Sequence, residues 1–82
     1  MRLVLIEWFD SVGCSSAWQD LTDECKPEAV LCQSVGWLFR DEPDCKVIVP
    51  HIAKVGDDRQ GCGDMNIATR CIKQIHDLPL PA

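Results

Sequence analysis

The chain has 82 residues, is 46% hydrophobic with three tryptophans, and carries a net charge of −5. That length holds one domain, able to bury roughly 60–65% of its unfolded surface, and the composition excludes a disordered chain. The charge is uneven: residues 1–45 set nine acidic groups against Arg2, Lys26 and Arg40, a balance of −6, whereas residues 46–82 balance to +1. An acidic surface repels phosphate, which disfavours nucleic acid and favours a basic protein surface as partner. The plainer reading of the same charge is that it keeps a small domain in solution.

The opening run Met1–Trp8 has one basic residue, and Glu7 and Asp10 interrupt it before it reaches signal-peptide length. No run approaches the ~18–20 apolar residues of a membrane span. These features predict a cytoplasmic protein with no membrane partner. In a reducing compartment Cys14, Cys25, Cys32, Cys45, Cys62 and Cys71 are expected as thiols, several of them buried as small hydrophobes. They form no CxxC pair, and with His51 and His76 they make no recognisable zinc spacing, so neither metal nor other cofactor is expected.

Taken in chain order, Leu3 to Phe9 is apolar at nearly every position and predicts a strand covered on both faces. Asp10–Ser15 reads as a loop, with Asp10-Ser11 as an Asx-type turn or a ligand-binding loop. Ser16 with Gln19 has capping-box spacing, and Trp18, Leu21 and Cys25 share one helical face. A short helix over 16–25 follows, ended by Pro27, with Trp18 anchoring it to the sheet. Val30 to about Phe39 is the next strand. Gly36 inside it implies a bulge, a bend or close backbone approach. Asp41-Glu42-Pro43-Asp44 is a turn, and Cys45–Ile52 is the return strand, with pairing stopping near Pro50. Residues 54–61 read as a polar loop. Met65–Ala68 reads as a short strand. Ile67, Cys71, Ile72, Ile75 and Leu78 have helical spacing, so periodicity makes the last segment a helix. The rival is a tight turn at 68–70 and a final strand over about Cys71–His76. The predicted domain is 1–78, with 79–82 as a tail.

Several phrases recur together here: Glu7-Trp8-Phe9-Asp10-Ser11, Ser34-Val35-Gly36-Trp37-Leu38, Pro50-His51, and the closing Ile67-Ala68-Thr69-Arg70-Cys71-Ile72 with Ile75 and Leu78. In these the chain resembles a family of short proteins encoded by bacteriophages and prophages, over most of its length. The family pattern has proline where this chain has Ala68. The resemblance implies a final strand rather than a helix. The layout also resembles a small SH3-like or Sm-like β-barrel, mostly β with one short helix, in the order β-α-β-β-β-β. Such barrels often assemble through edge strands, which makes a homo-oligomer an expectation.

No serine lies in a nucleophile motif and nothing positions a Cys–His dyad, so the chain reads as no enzyme. The candidate binding residues are Trp37, Arg40, His51, Arg59 and Arg70. His51 at a strand end would bind an anion or a partner carbonyl. An exposed tryptophan near His51 or Arg40 would stack a base or anchor an interface. Arg59, Arg70 and Lys73 would form a phosphate site if the fold joined them. Against each stands the plain alternative of core aromatics and scattered surface charge. The expected function is a phage-encoded protein that binds and modulates a host protein, in host takeover or anti-defence. The alternatives are an oligomeric sponge for a nucleotide-type immune signal, and an Sm-like RNA binder, which the acidic balance opposes.

Overall fold

A computed structural model of the chain describes residues 1–11, 17–18, 20–22 and 28–81. Strands account for 67% of them. The elements are β1 (Leu3–Ser11), β2 (Ala29–Asp41), β3 (Cys45–Val49), β4 (His51–Val55), β5 (Asp58–Cys62), β6 (Met65–Ala68), a 3₁₀ turn (Thr69–Cys71) and β7 (Ile72–Asp77). Five strands form an antiparallel sheet in the order β6-β3-β2-β1-β7, and β4 with β5 forms a separate two-stranded sheet.

Alternation along β1 and β2 sorts their side chains between two faces. Val4, Ile6 and Trp8 face the core opposite Gly36, Ser34 and Cys32, and the Trp8 Nε1–H donates to Ser34 Oγ at 3.0 Å. Val4, Ile6, Leu38, Ile48 and Ile67 form the buried cluster, with Trp8, Ile72 and Ile75 packed against it. The other face carries Leu3, Leu5, Glu7 and Phe9 opposite Trp37, Val35, Gln33 and Leu31. The two ends of the chain are joined across β1: Arg2 makes two bonds to the Asp77 carboxylate at 2.7 and 3.1 Å, and the Leu78 N–H donates to the Leu3 carbonyl at 2.9 Å.

Gly36 is the close backbone approach among the three options that its place in a strand left open. A Cβ there would sit 3.1 Å from Ile48 Cβ and 3.2 Å from the Val49 nitrogen. The β1–β2 register runs through it unbroken. The bulge falls three residues later, where Leu38 pairs with Ile48 but Arg40 pairs with Val47, leaving Phe39 as the extra residue.

β3, β4, β5 and β6 are one long hairpin divided in two. Cys45↔Ala68, Ile48↔Met65, His51↔Cys62 and Val55↔Asp58 all obey one register. In that register Pro50 stands opposite Gly63. Pro50 has no N–H to donate, and Gly63 takes φ +76° with its Cα beside the proline ring. Pairing stops there and resumes as a separate arm. Gly56 at φ +63°, followed by Asp57 with negative φ, closes the arm in a two-residue turn of the II′ kind. Every residue of β4 and β5 is exposed. The molecule is accordingly elongated, 57 × 24 × 24 Å, with a radius of gyration of 17.1 Å against about 12 Å for a compact domain of this length.

Three expectations are corrected and one open choice is decided. The sheet is not a closed barrel: β6 and β7 are its two edges, and β6 has four residues, too few to reach round to β7. No α-helix occurs among the described residues. Of the segment 16–25, residues 17, 18 and 20–22 are non-helical, and the others lie outside the described residues. Trp18 is 103% and Leu21 96% exposed, so neither anchors a helix on the sheet, and a short helix without a buried face is marginal. The polar stretch 54–61 holds the tip of β4, the arm turn and most of β5, because a Gly-Asp turn closed it where only loop composition was evident. The last segment is a strand, as the family resemblance implied. Ile75 faces the core beside Ile6, and the helical spacing of its neighbours is accommodated by the 3₁₀ turn and a register break opposite Glu7/Trp8. Among the described cysteines, Cys32, Cys45, Cys62 and Cys71 are free thiols, while Cys14 and Cys25 lie outside the described residues. No helix among the described residues is long and apolar enough to cross a membrane.

Because backbone atoms rather than a flexible side-chain tip meet the added methyl, Gly36→Ala is expected to lower stability by about 1–3 kcal/mol. A urea midpoint unchanged from the parent chain would contradict the close approach.

Candidate functional site

Three of the five candidate binding residues, Trp37, Arg40 and Arg59, lie where the arm meets the five-stranded sheet. Two adjoining hollows lie there, of about 380 Å³ and about 480 Å³, and both are walled by Met1, Ile52 and Arg59. The first adds Phe39, Arg40, Val49, Gln60, Asp64 and Asn66; the second adds Trp37, Lys54 and Leu80. Leu80, read from the sequence as tail, is thus part of the wall.

Each side chain arrives by a traceable route. Strict alternation from buried Leu38 would send Arg40 toward the core. The extra residue at Phe39 re-aims it, so that Phe39 and Arg40 line the same hollow, with the guanidinium carbon 5.3 Å from the Phe39 ring centroid. On the arm, Ile52 and Lys54 lie on one face of β4, and Arg59 is the direct cross-strand partner of Lys54. Two cations are therefore held opposite each other on a two-stranded ribbon. Like charges directly opposite on neighbouring strands are destabilising. Among the described residues neither Arg40, Lys54 nor Arg59 forms an ion pair, whereas Arg2 and Lys46 are both engaged by carboxylates. The hollows hold three cations against one carboxylate, Asp64, in a chain whose net charge is −5.

Trp37, Arg40 and Arg59 are brought together. His51 and Arg70 are not. His51 alternates to the face of β4 away from Ile52 and Lys54, is exposed, and pairs with Cys62. Arg70 sits in the 3₁₀ turn, beyond the Cys45↔Ala68 end of the long hairpin, and Arg59 is near its opposite tip. The suggested grouping of Arg59, Arg70 and Lys73 fails for that reason: Arg59 is near the tip of the hairpin, whereas Arg70 lies beyond its base and Lys73 is in β7. Lys54, Phe39 and Ile52 are wall residues that the sequence reading missed. The signal for Lys54 was the Val55-Gly56-Asp57-Asp58 turn, which fixes Arg59 as its partner. Asp10 remains in β1, and its carboxylate accepts the Ser11 N–H at 2.8 Å, a local bond with no bearing on the groove. No group of three metal-ligating side chains occurs among the described residues.

In comparison with known proteins, no family model matches the chain, and neither a curated protein nor a solved structure matches it.

Away from the groove, the charges of the sheet are tied in pairs. Glu7, on the sheet face opposite the core, bonds His76 Nε2 at 2.7 Å, and this bond holds its carboxyl below the usual value. The Lys46 ammonium does the same for Asp41, and the Arg2 guanidinium for Asp77. All three ionise more readily folded than unfolded. Their stabilisation is therefore complete above the ordinary carboxylate values and is lost as pH falls through the lowered ones. Urea midpoints should decline on the acid side of 4.5, and Glu7→Gln should flatten part of that decline. An identical acid profile in Glu7→Gln would show that the His76 bond contributes nothing.

Proposed function

We propose that the protein is a non-enzymatic binding protein whose working surface is the groove between arm and sheet, and that its ligand is a small anion with a planar group, of nucleotide type. The observation that carries this reading is the Lys54–Arg59 cross-strand pair. A cation pair that weakens its own ribbon is relieved by an anion seated between the two charges. Arg40 adds a third cation at the same groove, and Trp37 and Phe39 offer ring faces on which a base stacks. The same features suit capture of a nucleotide-type signal, one of the functions expected from the sequence. Duplex nucleic acid remains disfavoured by the acidic remainder of the chain.

The sheet order supports reading the fold as an open form of the SH3-like or Sm-like layout. The last strand pairs with the first, a 3₁₀ turn precedes it, and the edges are left apart.

A second reading keeps the phage-encoded modulator of a host protein. It is favoured by the arm, ten strand residues exposed at every position. Isolated two-stranded ribbons are marginal in water, and an added partner strand would stabilise this one.

Titration calorimetry with ATP and cyclic di-GMP, and with pyrophosphate as an anion lacking a base, tests the first reading. Binding of at least one nucleotide more tightly than pyrophosphate is expected. Arg59→Glu should weaken it by ten-fold or more, on the order of 1.4 kcal/mol, yet stabilise the free protein by about 0.2–1 kcal/mol, because it replaces a like-charge pair by an opposite-charge one. No heat with either nucleotide up to about 1 mM would overturn the nucleotide reading. Capture of one discrete host protein by the parent chain, lost on deleting residues 51–62, would then favour the second.

A further inference from the structure

We infer that the groove selects guanine among the bases: the first hollow takes the base, where the Asp64 carboxylate accepts its N1–H and N2–H, and Lys54 with Arg59 takes the phosphate. The inference rests on the nucleotide reading above and narrows it.

The sheet brings the first hollow together in two cross-strand rows. Arg40, Val47 and Asn66 are partners across β2, β3 and β6. Trp37 pairs with Val49, and the register of β3 with β6 sets Asp64 opposite Val49. Asp64, Asn66, Val47, Val49 and Arg40 all line the hollow. The Arg40 guanidinium lies over the Phe39 ring, with its carbon 5.3 Å from the ring centroid, and a base extends that stack by lying on the guanidinium plane. The hollow's volume of about 380 Å³ is within the range of small-molecule sites.

Charge sets the orientation of the ligand. Lys54 lines only the second hollow, Asp64 only the first, and Arg59 both. A phosphate near Asp64 is repelled, whereas one near Lys54 and Arg59 is held by charge-assisted hydrogen bonds. The base is thereby turned toward Asp64. Among the described residues this carboxylate forms no ion pair and no side-chain hydrogen bond, whereas Asp41 and Asp77 are engaged by Lys46 and Arg2.

Stacking tolerates every base. The Gln60 and Asn66 amides both donate and accept, so they do not choose between bases either. The choice falls to Asp64, because an ionised carboxylate only accepts. Guanine is the one common base with two adjacent N–H donors on its pairing edge, and they match the two carboxylate oxygens. Adenine and cytosine each set one donor beside a lone pair that the carboxylate repels. Uracil flanks its single donor with carbonyls.

Titration calorimetry with GDP, ADP and inosine diphosphate, and with pyrophosphate as the anion without a base, tests this on the parent chain and on Asp64→Asn. GDP is expected to bind more tightly than ADP by about ten-fold or more, the scale of one bidentate contact. Inosine diphosphate, which lacks the N2 amine, should fall between them. Asp64 is exposed, so the variant keeps the fold. It should abolish the difference between GDP and ADP and leave pyrophosphate bound no more weakly, since a negative charge is removed from the groove. GDP and ADP bound equally, and both more tightly than pyrophosphate, would overturn the guanine inference and leave the nucleotide reading standing. Neither bound more tightly than pyrophosphate would overturn both. A GDP preference that persists in Asp64→Asn, or inosine diphosphate bound as tightly as GDP, also overturns the inference, because the base would then be read elsewhere.

Discussion

A proline without a donor organises this molecule. Eleven register-matched positions would join residues 45–55 to 58–68 as a single ribbon, and the ladder is interrupted at Val49 opposite Asp64 and Pro50 opposite Gly63. The base of the ribbon stays in the sheet, where Ile48 and Ile67 are buried. The tip leaves it. Had the ladder continued, β4 would have gone on along β2 as part of one layer. The departure of the arm from the sheet, with the groove beside it, follows from a proline that has no N–H to donate and a left-handed glycine facing it.

The second constraint is the small core. Six hydrophobic side chains are buried among the described residues, which is few for a chain of this length. The sheet compensates with polar ties at its margins: Arg2 with Asp77, Lys46 with Asp41, His76 with Glu7, and Trp8 with Ser34. Each is partly exposed and individually weak. Together they hold the first strand between the second and the last. The cations of the groove are left out of this network, so the positive charge available to a ligand is the part that the fold does not use.

Much of the sheet was legible in the sequence because its signals are local. Pro50 announced where pairing stops, the acidic Asp41–Asp44 turn separated two apolar runs, and Met65–Ala68 stood between turn residues. The arm was not legible, since β5 is Asp-Arg-Gln-Gly-Cys, with nothing apolar to bury, and its pairing comes from register carried outward by the turn at Gly56. Of the three readings open at Gly36, bulge, bend or close approach, the close approach holds, and the bulge at Phe39 had no signal of its own. Gly36 has the composition of a bulge but serves to admit a neighbouring backbone, while Phe39 is ordinary in type and becomes the extra residue through pairing alone. For the site, Trp37, Arg40 and Arg59 were identifiable as residues but not as neighbours. Their meeting depends on that bulge and on the arm, both products of long-range geometry. His51 was drawn in by its place after Pro50, and a single step of strand alternation turns it away.

The contact between the chain's two ends has a consequence for how the protein comes to exist. The divided ribbon closes on itself within 24 residues, Cys45 to Ala68, so its loop-closure entropy is small and it can form early. β1 is different. Its partner β7 lies some seventy positions away, with Ile6 waiting for Ile75. β1 can pair with β2 before β7 is brought up to it, because the β1–β7 contact closes the much longer loop. Until then one edge of β1 is open along Val4–Trp8, and that interval, rather than the finished structure, is when this sequence is most exposed to mispairing.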